Sequence, residues 1–343
     1  MKISVIVPVY NMAADQKLNY CLDSLLAQTV RDMEIIAVDD CSSDESYEIL
    51  KSYEQQHPEH FRALVCDRNR HQGGAKNLAL SKARGEWISF IDADDWVVPD
   101  YYERLLAAAQ ETGADLVGCD YSLVTEHTMT PGQVVHNNRP EQAGELDADK
   151  IRSLMIDTGS LCVKLFRREL ILDHETRFPE DIFYEDNAVA RTFLIRAHRF
   201  AYLQEPLYFY YQHNASTVHT VTLQRLKDRV SAGRILLEEA REHGYLEPYR
   251  PEIEYSFTRL FYVNTLFSAM RDYHGPGKYR FVTDLGKEMK QTFPDFARNP
   301  YYQEKLTEEE KKMIRLQMSC PPLFYLYYLA LWKYRDLRYH TSV

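Results

Sequence analysis

Three groups of acidic residues follow apolar runs in this chain of 343 residues. They are Asp39-Asp40, Asp92-Ala93-Asp94-Asp95 and Glu185-Asp186. An acidic residue after a single apolar run is usually a solvated turn or a helix N-cap. Carboxylates gathered at the end of a buried strand repel one another, and Mg²⁺ or Mn²⁺ can compensate their charge through hard oxygen ligands. The sequence therefore predicts a divalent-cation site that also binds phosphate oxygens.

Periodic apolar runs predict the elements that must position these carboxylates. Over the first 120 residues, short β-branched runs alternate with longer amphipathic runs, which indicates βα units on a largely parallel sheet. Strands are predicted at 3–9, 33–38, 61–66, 86–91 and 115–119, and helices at 17–28, 46–56, 74–83 and 100–111. Ligands bind at the carboxyl ends of strands in such sheets, so we expect the acidic groups to lie there.

The pattern changes after the first 120 residues. Residues 125–150 lose the apolar period and indicate a loop, and the periodicity returns over residues 151–170. The aromatic run 202–211 predicts a strand that closes the first domain, and the pattern is helical from residue 221 onwards.

Charge divides the chain in a similar place. Residues 1–219 carry 21 basic and 35 acidic side chains, whereas residues 220–343 carry 20 and 16. We therefore predict an α/β domain over 1–219, with a first half at 1–120 and a second half at 121–219, followed by a helical C-terminal region over 220–343.

Composition argues against several classes of protein. The net charge of −10 disfavours nucleic-acid binding, which needs a basic face for phosphate contacts. The six cysteines are scattered singly and no secretory signal precedes them, so we expect reduced thiols in a cytoplasmic protein. The longest apolar stretch, Leu323 to Trp332, has ten residues and is shorter than the ~18 that a membrane span needs.

Taken in order and spacing, the motifs resemble glycosyltransferase family 2, whose members are inverting enzymes with a nucleotide-sugar-binding GT-A fold. The matching segments are 5–11 (VIVPVYN), 24–29 (SLLAQT), 34–44 (EIIAVDDCSSD), 73–77 (GGAKN), 85–95 (GEWISFIDADD) and 185–186 (ED). The resemblance is dense over about residues 1–120 and thinner to about 217. It implies a mixed, mostly parallel sheet flanked by helices, with nucleotide sugar bound by the first half and acceptor by the second.

The resemblance implies that Pro8, Tyr10 and Asp40 hold the nucleobase and ribose of the donor. Asp40 would accept a hydrogen bond from a uracil-type N–H. Packing at the strand end is the alternative role for Pro8 and Tyr10.

The resemblance also implies how the diphosphate is bound. Asp92 would contact the sugar or ribose, and Asp94 would contact the donor and, with Asp95, hold Mg²⁺ or Mn²⁺. His213, or alternatively His219, is a candidate to complete the metal shell, although a lone histidine is more often structural.

Two positions depart from the family pattern. Cys41 stands where the family commonly has glycine, and Lys76 stands where arginine is usual. Lys76 would keep a positive charge near a phosphate or base of the donor but lacks the bidentate fork of arginine. Lys164, in the second half, is expected to be solvated, and contact with a phosphate is the alternative.

Asp186 matches the catalytic base of the family, and Glu185 is expected either to act with it or to orient it and cap a helix. The chemistry requires such a set. A metal stabilises the charge that develops on the departing diphosphate, and a carboxylate must take the proton of the attacking hydroxyl. Displacement in one step inverts the anomeric carbon.

Three other functions fit the sequence less well. A haloacid-dehalogenase-like phosphatase needs Thr or Val two positions beyond its second aspartate, where this chain has Trp96. A nucleotidyltransferase needs a glycine-rich basic loop after the first strand, where this chain has Asn11-Met12-Ala13-Ala14. An inactive binding or scaffold module is disfavoured because the acidic motifs are retained.

The sequence thus predicts an inverting, metal-dependent glycosyltransferase that moves a sugar from a UDP-sugar to a glycan or lipid-linked oligosaccharide, in cell-surface polysaccharide synthesis. In the C-terminal tail, Leu323 to Trp332 is followed by Lys333, Arg335 and Arg338. This segment is expected to pack on the helical region or form a dimer contact, or alternatively to lie at the inner membrane face.

Overall fold

The computed structural model describes residues 1–172, 175–212 and 221–340, the side chains of 336–340 excepted. The chain divides into two units, Met1–Ser216 and Thr217–Val343. The predicted boundary between residues 219 and 220 lies outside the described residues.

The described part of the first unit builds one sheet of ten strands. The strands are β1 (Ile3–Val9), β2 (Met33–Asp39), β3 (Phe61–Val65), β4 (Trp87–Phe90), β5 (Trp96–Val97), β6 (Leu116–Val124), β7 (Gln133–Val135), β8 (Gly144–Glu145), β9 (Lys164–Arg167) and β10 (Arg199–Tyr211). Their order is β3-β2-β1-β4-β9-β6-β10-β5, with β7 beside β6 and β8 beside β10. Strands β1 to β4 are parallel neighbours, as are β6 and β10.

Helices cover this sheet. They are α1 (Lys17–Leu26), α2 (Ser46–Gln56), α3 (His71–Leu80), α4 (Tyr101–Thr112), α5 (Ala148–Ile156), α6 (Arg168–Leu172) and α7 (Glu185–Ile195). Every residue of β1, β2 and β4 is buried, as expected for β-branched and aromatic runs in parallel strands that are covered on both faces. These strands form the centre of the core.

One strand changes direction in the middle of the sheet. Strand β9 runs antiparallel to both β4 and β6, with Leu165 opposite Ser89 and Val117. The chain that leads into β9 therefore arrives at the carboxyl end of β4, beside the acidic group that follows that strand, and opposite Gly118 near the start of β6.

The predicted fold class, a mixed and mostly parallel sheet flanked by helices, is confirmed. The predicted helix over 74–83 begins three residues earlier, at His71. The periodic stretch 151–170 contains most of α5, all of β9 and the start of α6. The predicted loop over 125–150 contains two short strands, β7 and β8. They are extended because they pair with β6 and β10, respectively.

The described part of the second unit is helical, as predicted. Its α-helices are α8 (Leu223–Glu242), α9 (Arg250–Phe257), α10 (Thr265–Arg271), α11 (Lys278–Thr292), α12 (Pro300–Lys305), α13 (Glu308–Ser319) and α14 (Pro321–His340). A π-helical segment, Thr258–Asn264, joins α9 to α10. Among the helices that the structure describes, none combines the length and the apolar composition needed to cross a bilayer.

Candidate active site

The carboxyl end of β4 carries the densest group of carboxylates. Asp92 and Asp94 are partly exposed, whereas Asp95 is buried. The chain turns tightly here, because the Asp95 N–H donates to the Asp92 carbonyl at 3.0 Å. The turn places three acidic side chains at one strand end.

Strand β10 holds Asp95 in place. The Tyr208 hydroxyl donates to Asp95 Oδ2 at 2.5 Å, and the Tyr211 N–H donates to Asp95 Oδ1 at 2.8 Å. Both carboxylate oxygens thus accept hydrogen bonds from the protein. Metal ligation by Asp95 stays a prediction, and the structure shows that this carboxylate joins the turn after β4 to β10.

The electrostatics of the group favour a cation. Burial, reinforced by Asp94 and Asp92, raises the pKa of Asp95 well above its ordinary value. Burial also raises the pKa of Asp92 to about 6, opposed by Lys76 and increased by Asp94. Each carboxylate destabilises the charge of the next, and a divalent ion would relieve that repulsion.

Hard carboxylate oxygens suit Mg²⁺ or Mn²⁺, so the donor set fits such an ion. Within the described ranges, however, no group of three or more His, Cys, Asp or Glu side chains is arranged to hold a metal. His213 and His219, the candidates to complete the shell, lie outside the described residues.

Lys76 forms a buried ion pair with Glu185. Lys76 Nζ lies 2.6 Å from Glu185 Oε1 and 3.2 Å from Gln72 Oε1, and both charged side chains are less than 10% exposed. Burial disfavours the Lys76 ammonium, but the Glu185 carboxylate, together with Cys162, Asp92 and Asp186, outweighs burial and raises the pKa of Lys76 above its ordinary value. In this structure Lys76 neutralises Glu185 and links α3 to the first turn of α7.

The rest of the GGAKN motif brings α3 close to the chain before α7. A Cβ added at Gly73 would lie 2.0 Å from the Pro179 carbonyl oxygen, so only glycine permits this approach. Asn77 exchanges two hydrogen bonds with the Phe178 backbone, at 2.8 and 3.1 Å. The motif thus anchors the segment that positions Asp186.

Asp186 lies in the first turn of α7, which follows Tyr184 in a left-handed conformation with φ of 68°. Asp186 Oδ1 accepts hydrogen bonds from the backbone N–H and the side-chain amide of Asn187, at 2.7 and 2.8 Å. The carboxylate is partly exposed, unlike that of Glu185. A fixed, accessible carboxylate suits a proton acceptor.

The carboxyl end of β2 carries Asp39 and Asp40, both buried. Asp40 Oδ1 accepts from the Arg70 N–H at 2.7 Å, and burial raises the pKa of Asp40. Asp39 Oδ1 is buried without a hydrogen-bond partner among the described residues. Sequence reasoning assigned the nucleobase contact to Asp40 alone, and this unpartnered acceptor makes Asp39 a second candidate.

Other residues near β1 and β2 differ in accessibility. Pro8 is a buried member of β1, whereas the Tyr10 side chain just beyond the strand is 48% exposed. Cys41 has a φ of 56°, in the region that favours glycine. Tyr10 can therefore meet a ligand, and Pro8 shapes the strand end from within.

A cavity of ≈ 100 Å³ opens beside the carboxylates that follow β4. Its lining comprises Asp92, Asp95, Tyr121, Ser160, Cys162, Val163, Tyr208 and Tyr210. Cys162 Sγ donates to Asp92 Oδ2 at 3.4 Å. Sequence reasoning missed Cys162 and Tyr208 as site residues, and the aromatic run over 202–211 was the one signal for Tyr208.

Comparison with known proteins identifies the family. The model of glycosyl transferase family 2 matches residues 4–172. The putative glycosyltransferase EpsH of Bacillus subtilis is 34% identical over 270 residues, which are 74% of this chain and 73% of EpsH. The chain belongs to glycosyltransferase family 2.

Two further relatives extend the comparison. The uncharacterized glycosyltransferase YibD of Escherichia coli is 32% identical over 63% of this chain, which spans 62% of YibD. Staphylococcus aureus TarS, a poly(ribitol-phosphate) β-N-acetylglucosaminyltransferase, is 28% identical over 61% of this chain and 35% of TarS. The crystal structure of TarS 1–349 in complex with UDP has a TM-score of 0.68 at 21% identity, covering 92% of this chain and 91% of that one.

The Lys76–Glu185 pair can be tested by a double-mutant cycle. Lys76→Met leaves a buried carboxylate unpaired, so we expect the free energy of unfolding to fall by about 3–5 kcal/mol. The double variant Lys76→Met/Glu185→Gln removes both charges and should recover at least half of that loss. Urea unfolding of the wild type, Lys76→Met, Glu185→Gln and the double variant completes the cycle of four proteins.

The matched control is Lys2→Met, since Lys2 pairs with Glu86 at the surface at 3.4 Å. This control should cost no more than about 1 kcal/mol. Equal losses in Lys76→Met and the double variant would show that the two side chains do not compensate each other.

Proposed function

We propose that this family 2 enzyme transfers a sugar, with inversion, from a UDP-sugar to a hydroxyl of a glycan or lipid-linked oligosaccharide in cell-surface polysaccharide synthesis. The main support is the placement of the acidic residues. Buried acceptors follow β2 and a group of carboxylates follows β4 at the same edge of the sheet. Helix α3 anchors the segment that positions the accessible carboxylate of Asp186. In this proposal residues 1–120 bind the donor and the second half, 121–219, binds the acceptor.

The nucleoside is proposed to bind at the ends of β1 and β2. Tyr10 offers an exposed ring, and the Asp39 and Asp40 carboxylates offer acceptors for a uracil N–H. The UDP complex of the structurally similar TarS supports the choice of uridine.

The diphosphate is proposed to bind beside Asp94, which with Asp92 would hold Mg²⁺ or Mn²⁺ jointly with phosphate oxygens. When bound, the cation stabilises the negative charge of the departing diphosphate. Asp95, hydrogen-bonded to Tyr208 and Tyr211, fixes the turn on which Asp92 and Asp94 stand.

Asp186 is proposed to be the general base. It would take the proton of the acceptor hydroxyl as that oxygen bonds to the anomeric carbon and the bond to the diphosphate breaks. Glu185 is proposed to act through its position rather than by proton transfer, since Lys76 already neutralises it at 2.6 Å. Attack opposite the leaving group inverts the anomeric carbon.

The C-terminal helix α14 is proposed to bind an anionic membrane surface. Phe324 and Tyr328 are buried, and the Tyr328 ring stacks on Phe267 of α10, so one side packs within the second unit as expected. Five large apolar side chains of α14 are 40–65% exposed, namely Leu323, Leu326, Tyr327, Leu329 and Tyr334. Residues 311–343 carry six basic side chains and one acidic side chain, which is the charge complementary to anionic lipid.

Asp186→Asn tests the base, because asparagine keeps the shape and removes the basicity. Sugar transfer should fall by ~10² or more, with donor affinity close to that of the wild type. Transfer assays and calorimetric titration of UDP measure the two quantities. Asp149→Asn, at a 91% exposed carboxylate of α5, is the matched control and should leave both unchanged. Near-normal transfer by Asp186→Asn would move the role to another residue.

Asp94→Asn tests the cation. Wild-type protein should bind UDP more tightly with Mg²⁺ or Mn²⁺ than with excess chelator, and the variant should lose most of that difference. Calorimetry with and without metal measures it, and Asp284→Asn, at an exposed carboxylate of α11, serves as the control. Equal UDP affinity of the wild type in metal and in chelator would refute metal dependence.

Leu326→Glu tests the membrane surface, because Leu326 is 65% exposed on α14. Flotation with anionic vesicles should recover the wild type at low salt and lose most of the variant. Val134→Glu, at a 41% exposed position on β7, should float like the wild type. Equal flotation of Leu326→Glu, or a wild-type dimer that this change dissociates, would contradict the proposal.

A further inference from the structure

Lys164 is a fully buried lysine that the proposed reaction does not use. Its ammonium donates to the carbonyl oxygens of Thr158 and Ser160, at 2.8 and 3.0 Å. Burial lowers the pKa of Lys164 to about 7, which shows how unfavourable this environment is for the charge. The expectation that Lys164 is solvated, or that it meets a phosphate, is wrong.

The two carbonyls belong to segment 158–162, which leads into β9. A second set of contacts holds the same segment from the other side. The Ser160 N–H donates to Asn137 Oδ1 at 2.7 Å, and Gly159 has a φ of 64°. A Cβ added at Gly159 would lie 2.5 Å from the Asn137 carbonyl oxygen. Segment 158–162 is thus fixed between Lys164 and Asn137, two buried polar side chains.

Segment 158–162 forms one wall of the cavity beside β4. Ser160 and Cys162 line that cavity, and Cys162 contacts Asp92, one of the two carboxylates proposed to hold the cation at the diphosphate that carries the sugar. The lining also includes Tyr121 and Tyr210, whose rings meet edge to face with centroids 6.2 Å apart. The cavity therefore combines a polar wall with aromatic rings. These suit the hydroxyl groups and the apolar face of a sugar ring.

We propose that Lys164 is a positioning residue that fixes segment 158–162 as the polar wall of the sugar pocket and thereby determines which donor sugar the enzyme accepts. This inference rests on the proposed function. Lys164 touches neither donor nor acceptor, and it acts through the two carbonyls that it binds. The nucleoside is bound elsewhere, at the ends of β1 and β2, so a change at Lys164 should separate sugar recognition from UDP recognition.

Small displacements of this wall have large consequences. A site that hydrogen-bonds a substrate hydroxyl rejects an analogue lacking it by factors as large as ~10⁴. A misplacement of about 1 Å can cost ~10² in rate. Removing the Lys164 donors takes away a hydrogen bond from each of the Thr158 and Ser160 carbonyls, so segment 158–162 loses the contacts that hold it on this side.

The test compares Lys164→Met with Lys164→Gln. The two side chains are similar in length, but only glutamine can donate to a carbonyl. Calorimetry gives the affinity for UDP alone, and a panel of UDP-sugars gives the ratio of kcat/KM between the best donor and its epimers. Lys164→Met should reduce that ratio at least tenfold and leave UDP affinity within about twofold of the wild type. Lys164→Gln should retain more of the ratio.

Lys150→Met is the matched control, since the Lys150 ammonium donates to the Glu145 carbonyl at 3.2 Å but is exposed. It should leave the ratio unchanged. Gly159→Ala is an independent variant that displaces the same segment without altering Lys164, and it should reduce the ratio in the same way. It keeps the test decisive if Lys164→Met fails to fold.

Unchanged donor ratios in the folded variants would overturn this inference and leave the proposed function standing. A parallel loss of UDP affinity in Lys164→Met and Gly159→Ala would also overturn it, because the effect would then be a general loss of structure. If the wild type bound neither UDP nor any UDP-sugar, the proposed function would fail and the inference with it.

Discussion

Repulsion among carboxylates is the constraint around which the first unit is organised. Asp92, Asp94 and Asp95 crowd the end of β4, and Asp39 and Asp40 stand two strands away. Acids in such numbers stay ionised at a sheet edge only where donors are aimed at them. The hydrogen-bond donors come from distant parts of the chain. Their positions determine which carboxylates are bound within the protein and which remain accessible.

Two of the carboxylates connect separate elements of the structure through the groups that bind them. Asp95 joins β4 to β10 through Tyr208 and Tyr211, and Glu185 joins α7 to α3 through Lys76. Their neighbours Asp94 and Asp186 remain partly exposed. In these two pairs one carboxylate fixes the backbone and the other is left accessible, whereas Asp39 and Asp40 are both buried.

Local pattern predicted much of this architecture. The ends of β1 and α2 agree with the predicted bounds, because each is a complete periodic run between polar turns. The gathering of acids at the ends of β2 and β4 also followed from the sequence, whereas the expectation that Glu185 and Asp186 lie at a strand end was wrong, because they begin α7. Strand β9 did not, because its residues Lys164–Arg167 gain their extended form only from pairing with β4 and β6. The partners of Lys76 and Lys164 could not be predicted either, because the burial of a charged side chain depends on which residues, distant in sequence, pack around it.

The antiparallel insertion of β9 bears on how the molecule folds. Strands β1 to β4 pair with one another within residues 3–90 and need no strand from later in the chain. Strand β9 lies between β4 and β6, so the sheet becomes continuous only when β9 has paired with both. The β1–β4 part of the sheet can therefore form without β9, whereas segment 158–162 reaches its place only when β9 pairs. The order of assembly would then follow the proposed division between the part that binds the nucleotide and the segment that contacts the sugar.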